Sequence, residues 1–213
     1  MPVGPRNKTE AVIFDFGGVI CFPPNEAQWQ EAAAFCGANR AAFEAAFWED
    51  RDEYDAGENP LVYWNAIGKR LGIRFGHATR EGLIEREIAF WSRFDHRVLD
   101  WIGELRASGI RTGILSNLPR PIGESLKSLP GFLAHFDEVT FSYELGVVKP
   151  QAAIYHNAIR GLGIEPREAL FLDDRAANVE GARAAGLEAD IFTTWEKFLE
   201  NSRACFGLPA PRS

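Results

Sequence analysis

The sequence has little cysteine, no long apolar run and no surplus of positive charge. Its three cysteines, Cys21, Cys36 and Cys205, are an odd number without C-x-x-C spacing, which excludes a small disulfide scaffold and points to a reducing compartment. Each reads most simply as a small buried apolar residue. The apolar run from Ala11 to Ile20 is interrupted by Asp15 and is far too short to cross a bilayer. Residues 1–10 are polar and proline-rich, without the apolar stretch of a secretory leader. The expectation is a soluble, cytoplasmic protein with no membrane partner. With 23 Lys and Arg against 30 Asp and Glu, the formal net charge is −7. Such a chain is poorly suited to nucleic acid, whose phosphates require an excess of Lys and Arg, and to anionic lipid.

What is present is ordinary globular material, 46% hydrophobic and 25% charged over 213 residues. That length suits one large domain, or one domain carrying an insertion. Short apolar runs recur at Ala11 to Phe14, Ile110 to Leu115, Val139 to Phe141, Ala169 to Leu172 and Glu188 to Phe192. Continuous runs of this length, bounded by turn residues, predict strands buried on both faces. Helix-length segments lie between them: Val98 to Ser108, Ala152 to Leu162 and Ala176 to Ala185, each followed by glycine. The alternation predicts an α/β fold, a Rossmann-like doubly wound parallel sheet. From about Pro23 to Asp95 the rhythm changes to consecutive helices: Glu26 to Cys36, Arg40 to Glu49, Leu61 to Leu71 and Arg80 to Ser92. This stretch holds Trp29, Trp48, Trp64 and Trp91, four of the six tryptophans, so it is expected to have a small core of its own.

In open parallel sheets, ligands bind outside the carboxyl ends of the strands. There the sequence places Asp15, Ser116-Asn117, Gly146 to Pro150 with Lys149, and Asp173-Asp174 with Asn178 shortly after. Taken singly, most of these have simpler explanations: an Asp or Ser-Asn after a strand caps a helix or a turn, and Lys-Pro begins a helix. Asp173-Asp174 is harder to dismiss, because adjacent carboxylates behind a buried strand repel and need a cation. Together, three carboxylates suit a hard cation, while a hydroxyl, an amide and a lysine suit an anion.

Phe14-Asp15-Phe16-Gly17-Gly18-Val19, Leu115-Ser116-Asn117, Lys149-Pro150 and Phe171-Leu172-Asp173-Asp174 resemble, in order and spacing from about Ala11 to Leu199, the four motifs of the haloacid dehalogenase-like (HAD) hydrolases. Within that family the layout is similar to the phosphatase branch that contains α-D-glucose-1-phosphate phosphatase. The helical insertion looks like its C1-type cap. The resemblance implies a core domain at 8–22 and 96–203 and a helical cap domain at 23–95; residues 204–213, with two prolines, read as a loose C-terminal tail.

The resemblance further implies a Mg²⁺-dependent phosphatase acting on a small phosphorylated metabolite, with a sugar phosphate as the first candidate. Asp15 would be the nucleophile, forming an aspartyl-phosphate, and Lys149 would neutralise charge. Mg²⁺ would be held by Asp15, Asp174 and the Gly17 carbonyl, with Asp173 acting through water and Asn178 behind it. Ser116, Asn117, Gly17 and Gly18 would bind the phosphoryl group. Most phosphatases of the family carry an Asp where Gly17 stands, and that Asp is their general acid; Gly17 supplies none. Arg51 and Tyr54, sharing a helix face with Trp48, Asp52 and Asp55 if the second helix continues past Glu49, are the candidates for reaching the substrate from the cap. His77 and His96 are further candidates for moving protons. Two alternatives stay open: a 2-haloacid dehalogenase, which needs no metal, and a non-catalytic phosphate-binding protein. The partner is expected to be a small molecule, and the chain a monomer or homodimer.

Overall fold

The computed structural model describes residues 9–211; Lys8, Arg212 and Ser213, which fall at the edges of the expected segments, lie outside the described residues. Five strands form one sheet: β1 (Ala11–Phe14), β2 (Arg111–Ser116), β3 (Glu138–Phe141), β4 (Ala169–Asp173) and β5 (Glu188–Ile191). All neighbours are parallel, in the order β3-β2-β1-β4-β5. β1 and β4 are buried along their whole length, which is why they read as unbroken apolar runs rather than as alternating patterns. The strand order reverses direction between β1 and β4, and at such a switch point the loops part to leave a crevice. Register sets Phe14 opposite Leu172, so the next residues, Asp15 and Asp173, stand abreast at its mouth.

Between β1 and β2 lie six helices: α1 (Glu26–Phe35), α2 (Arg40–Glu49), α3 (Arg51–Asp55), α4 (Pro60–Leu71), α5 (His77–Phe90) and α6 (His96–Ala107). Asparagine starts three of them. Asn25 forms a capping box with Gln28, Asn39 accepts from the amides of Ala41 and Ala42, and Asn59 accepts from Leu61 before Pro60 enters the first turn. These side chains satisfy amides that the helix itself leaves unpaired. The second helix does not continue past Glu49. It breaks at Asp50, and Arg51 to Asp55 form a separate short turn of helix. The fifth begins at His77, earlier than the expected Arg80.

Later in the chain come α7 (Arg120–Ser128), α8 (Ser142–Leu145), α9 (Ala152–Leu162), α10 (Ala176–Ala184) and the short α11 (Trp195–Lys197), with several single helical turns. One face of the sheet packs Phe14, Leu172 and Trp101 with residues near the C-terminus, and the other packs Ile13, Phe171 and Tyr155. Helices α1 to α5 close around a third cluster that includes Trp29, Phe43, Phe47 and Trp64. Trp91, just past α5, packs against both this cluster and the first. A second junction is made by Ser142: its hydroxyl donates to the Asp55 carbonyl at 2.6 Å and accepts from the Leu118 amide at 3.0 Å. Gly57 allows the two parts to touch, since a Cβ there would sit 2.8 Å from the Tyr143 carbonyl oxygen.

Residues 204–211 are not the loose tail that two prolines suggested. Leu208 is buried, Trp101 donates its indole N–H to the Pro209 carbonyl at 3.1 Å, and Thr9 donates to the Phe206 carbonyl. Apolar contact with the first sheet face outweighs the local sequence signal. Cys21 and Cys36 are buried as expected, whereas Cys205 is exposed. No described helix is long and apolar enough to cross a membrane.

Candidate active site

Four chain segments meet at the carboxyl edge of the sheet. Asp15 follows β1 and Asp173 ends β4. Lys149, from the loop after α8, places its ammonium between them, 2.8 Å from Asp15 Oδ1 and 2.6 Å from Asp173 Oδ2. Asp15 Oδ1 also accepts from the Phe16 amide at 2.7 Å. Asp173 is fully committed: besides Lys149 it accepts from the Asn178 side chain and the Arg175 amide. Asn178 therefore orients Asp173, and Asp173 in turn holds Lys149. Asp174 is the exposed member of the group and lines the cavity. Gly18, at φ +78°, makes room for it: a Cβ at that position would lie 2.5 Å from Asp174 Oδ2, and the positive φ suits glycine.

Carboxylate oxygens of Asp15, Asp173 and Asp174 all lie within 4.8 Å of one another. Burial pushes the Asp15 carboxyl up to about 7 against the opposing pull of Lys149, with the neighbouring carboxylates adding to the rise. Burial likewise raises Asp174, with Asp173 contributing. Burial works against the Lys149 ammonium, yet Asp15 and Asp173 more than offset it and hold the group charged. Three carboxylates and one lysine leave an excess of negative charge in a dry site. An all-oxygen donor set of this kind fits a hard divalent cation.

Above this floor is a cavity of about 320 Å³. Ser116, Asn117, Gly17, Gly18, Lys149 and Asn178 line it as expected. The Asn117 side chain, however, is spent on the backbone of Lys149, donating to its carbonyl at 3.1 Å and accepting from its amide at 2.8 Å. It positions the lysine rather than reaching into the cavity.

Of the two substrate candidates from the helical segment, Tyr54 is corrected. Tyr54 is wholly buried, stacks on Tyr63 at 3.9 Å and donates to Glu87 at 3.0 Å. It does not line the cavity. Arg51 does line it, but its guanidinium is held by Glu87 at 2.6 Å and Asp55 at 2.8 Å. Neither His77 nor His96 is among the lining residues, and both are exposed.

Several lining residues went unread in the sequence, Asp55 and Trp91 among them. Asp55 lines the cavity from the helical side, its carboxyl pushed up to about 7 by burial, with Arg51 opposing and Glu87 reinforcing the rise. Arg175, exposed beside Asp174, also lines it. So does Trp91, whose ring explains Gly17: a Cβ on Gly17 would lie 2.9 Å from Trp91 Cζ3. Residue 17 has no room for a side chain while this ring is in place. The density of tryptophan in the segment was the available signal, but it was assigned wholly to packing.

A sequence model of the haloacid dehalogenase-like hydrolases matches residues 9–186. The chain belongs to that family of hydrolases. Mouse acyl-CoA dehydrogenase family member 10 is 32% identical over 109 residues, which is 51% of this chain but only 10% of that protein. D-ribitol-5-phosphate phosphatase of Bacteroides thetaiotaomicron is 28% identical over 185 residues, 83% of this hydrolase and 88% of the relative. Among solved structures, a HAD family enzyme of Bacteroides thetaiotaomicron, an Asp12Ala mutant in complex with magnesium and inorganic phosphate, aligns at TM-score 0.70 and 20% identity. It covers 85% of this chain and 93% of that one. Likeness at that identity speaks to the fold.

Proposed function

We propose that the protein is a divalent-metal-dependent phosphatase of small phosphate monoesters, with Asp15 as nucleophile. The observation that carries this reading is the charge arrangement at the strand ends: three carboxylates within 4.8 Å of one another with Lys149 bridging two of them. Asp15, Asp174 and the Gly17 carbonyl would hold the ion, taken as Mg²⁺ by analogy with the magnesium in the Bacteroides structure. When bound, such an ion supplies positive charge that favours ionised carboxylates and offsets the charge of a phosphoryl group.

Asp15 then attacks phosphorus to give an aspartyl-phosphate, and the alcohol leaves. Lys149, held charged by its two carboxylates, balances negative charge on the attacking oxygen and on the transferring group. Ser116 and the amides beside it are placed to bind phosphoryl oxygens. Residues 23–95 act as the cap that closes over the leaving group and keeps bulk water out.

A 2-haloacid dehalogenase would also use Asp15, but it gives Asp174 no task at the cavity wall. The test is phosphate release by the purified protein with Mg²⁺, with EDTA, and with Mg²⁺ restored. Turnover that disappears with EDTA and returns with metal supports the reading. Metal-independent halide release from 2-chloropropionate, without phosphatase activity, would replace it.

A further inference from the structure

The cavity has two unlike halves. Its floor carries the charged groups of the strand ends. The helical side presents Pro23 and Pro24, Trp29 from α1, Trp48 from α2, and Trp91 after α5. The charged residues on that side are already engaged: Arg51 with Asp55 and Glu87, and Glu44 with Arg40. A polyol needs donors and acceptors along its whole length, because each buried hydroxyl without a partner costs affinity. Indole and proline surfaces offer instead an apolar wall suited to flat rings. Trp48 adds to this, being 44% exposed at the rim, where a large apolar side chain gains nothing from water.

The second observation is that Trp91 fills the space beside Gly17. The position next to the nucleophile therefore carries an aromatic ring and no carboxyl. A leaving oxygen there gets no proton from residue 17. A phenolic oxygen departs readily as its anion, whereas an alkoxide does not.

Resting on the phosphatase reading, we propose that the substrates are phosphate monoesters of flat, apolar, aromatic alcohols, with Trp91 and Trp48 as the residues that select them. In the first step the bond from Asp15 to phosphorus forms and the aryl oxygen–phosphorus bond breaks. The electron pair leaves on the phenolate, which takes a proton from water. Hydrolysis of the aspartyl-phosphate then returns Asp15 and inorganic phosphate.

The test compares kcat/KM for 2-naphthyl phosphate, phenyl phosphate and ribitol 5-phosphate, using the full chain with Mg²⁺. The two aryl alcohols have nearly equal acidity, so their ratio reports contact with the extra ring rather than leaving-group quality. The expected order is naphthyl over phenyl by about tenfold, and both over ribitol 5-phosphate. Trp91→Ala and, separately, Trp48→Ala are expected to narrow the naphthyl-to-phenyl ratio several-fold. Trp48 is exposed enough that its replacement leaves folding intact, so it reports even if Trp91→Ala does not fold. Equal rates on the two aryl esters, a preference for ribitol 5-phosphate, or an unchanged ratio in Trp48→Ala and in any folded Trp91→Ala would overturn the proposal while leaving a phosphatase. No phosphate release from any of the three would overturn the phosphatase reading and this proposal with it.

Discussion

The molecule contains two buried clusters built to the same charge formula. At the sheet edge, Lys149 lies between Asp15 and Asp173; among the helices, Arg51 lies between Asp55 and Glu87. Both place one cation between two carboxylates away from water, an arrangement that costs desolvation and is weak evidence of stabilisation on its own. They differ in what closes them. In the helical cluster Tyr54 closes off Glu87, donating to it and stacking on Tyr63, and Phe47 lies under the guanidinium at 4.9 Å, while Arg51 and Asp55 reach the cavity wall. The sheet-edge cluster is left open toward a cavity, with Asp174 added as an uncommitted carboxylate. Arg51 spends its charge on its own two carboxylates, whereas the sheet-edge group has a third carboxylate beside Lys149 and so a surplus of negative charge that a cation could offset.

The largest effect expected from this contrast is on catalysis. Asp15→Asn should lower kcat by more than about 10³-fold, because an amide is a poor nucleophile. Stability should hold or rise, because the change removes a carboxylate whose burial cost the attraction of Lys149 does not fully offset. Phosphate release together with thermal melting checks both halves. A variant that loses activity only by unfolding would break the comparison.

Arg51→Met is the mirror experiment. It strands Asp55 and Glu87 in the helical interior and should cost about 3–5 kcal/mol in denaturant unfolding. Where the variant stays folded, kcat should change far less than in Asp15→Asn. A stability loss below about 1 kcal/mol would mean that water from the cavity screens the cluster as it would a surface pair.

The same contrast explains what was legible in the sequence. The sheet-edge cluster was readable because each member follows a short apolar run, and parallel register then brings the run ends together. Phe14 opposite Leu172 leaves no choice but to set Asp15 beside Asp173. The helical cluster depends on contacts between Arg51 and Glu87, residues that no local pattern links. It also depends on a break at Asp50 that carries neither glycine nor proline. Tyr54 was therefore assigned to the substrate when it belongs to the interior. The C-terminal residues were misjudged for a related reason: Leu208 is held by contacts with residues far away in the chain, and prolines nearby say nothing about them.

Gly17 gives a prediction at the boundary of the two parts. With Trp91 Cζ3 only 2.9 Å from the place of a Cβ, Gly17→Asp should not restore a general acid. It should overpack the junction and cost about 1–3 kcal/mol. Combining Gly17→Asp with Trp91→Ala should recover part of that cost, giving a non-additive double-mutant cycle. Additive losses would show that the ring moves aside freely and that Gly17 is glycine for some other reason.

A further effect is expected in how stability depends on pH. Burial pushes Asp55 up to about 7 from an ordinary value of 3.8, with Glu87 adding to the rise and Arg51 opposing it. Between those two values the folded protein keeps a proton that the unfolded chain has lost. Stability from this residue is thus complete below about pH 4 and is lost as pH rises toward 7, at up to about 1.4 kcal/mol per pH unit. Asp55→Asn has no such proton to hold. Relative to the parent, its free energy of unfolding should improve steadily from pH 4 to pH 7 and change little beyond. Denaturant unfolding of both proteins at several pH values measures the difference directly, and other titrating groups cancel in the subtraction. A difference that is flat across this window would mean that Arg51 keeps Asp55 ionised. In that case Asp55 would differ from Asp15, whose carboxyl burial also pushes up to about 7, and the charge formula shared with the sheet edge would not extend to protonation.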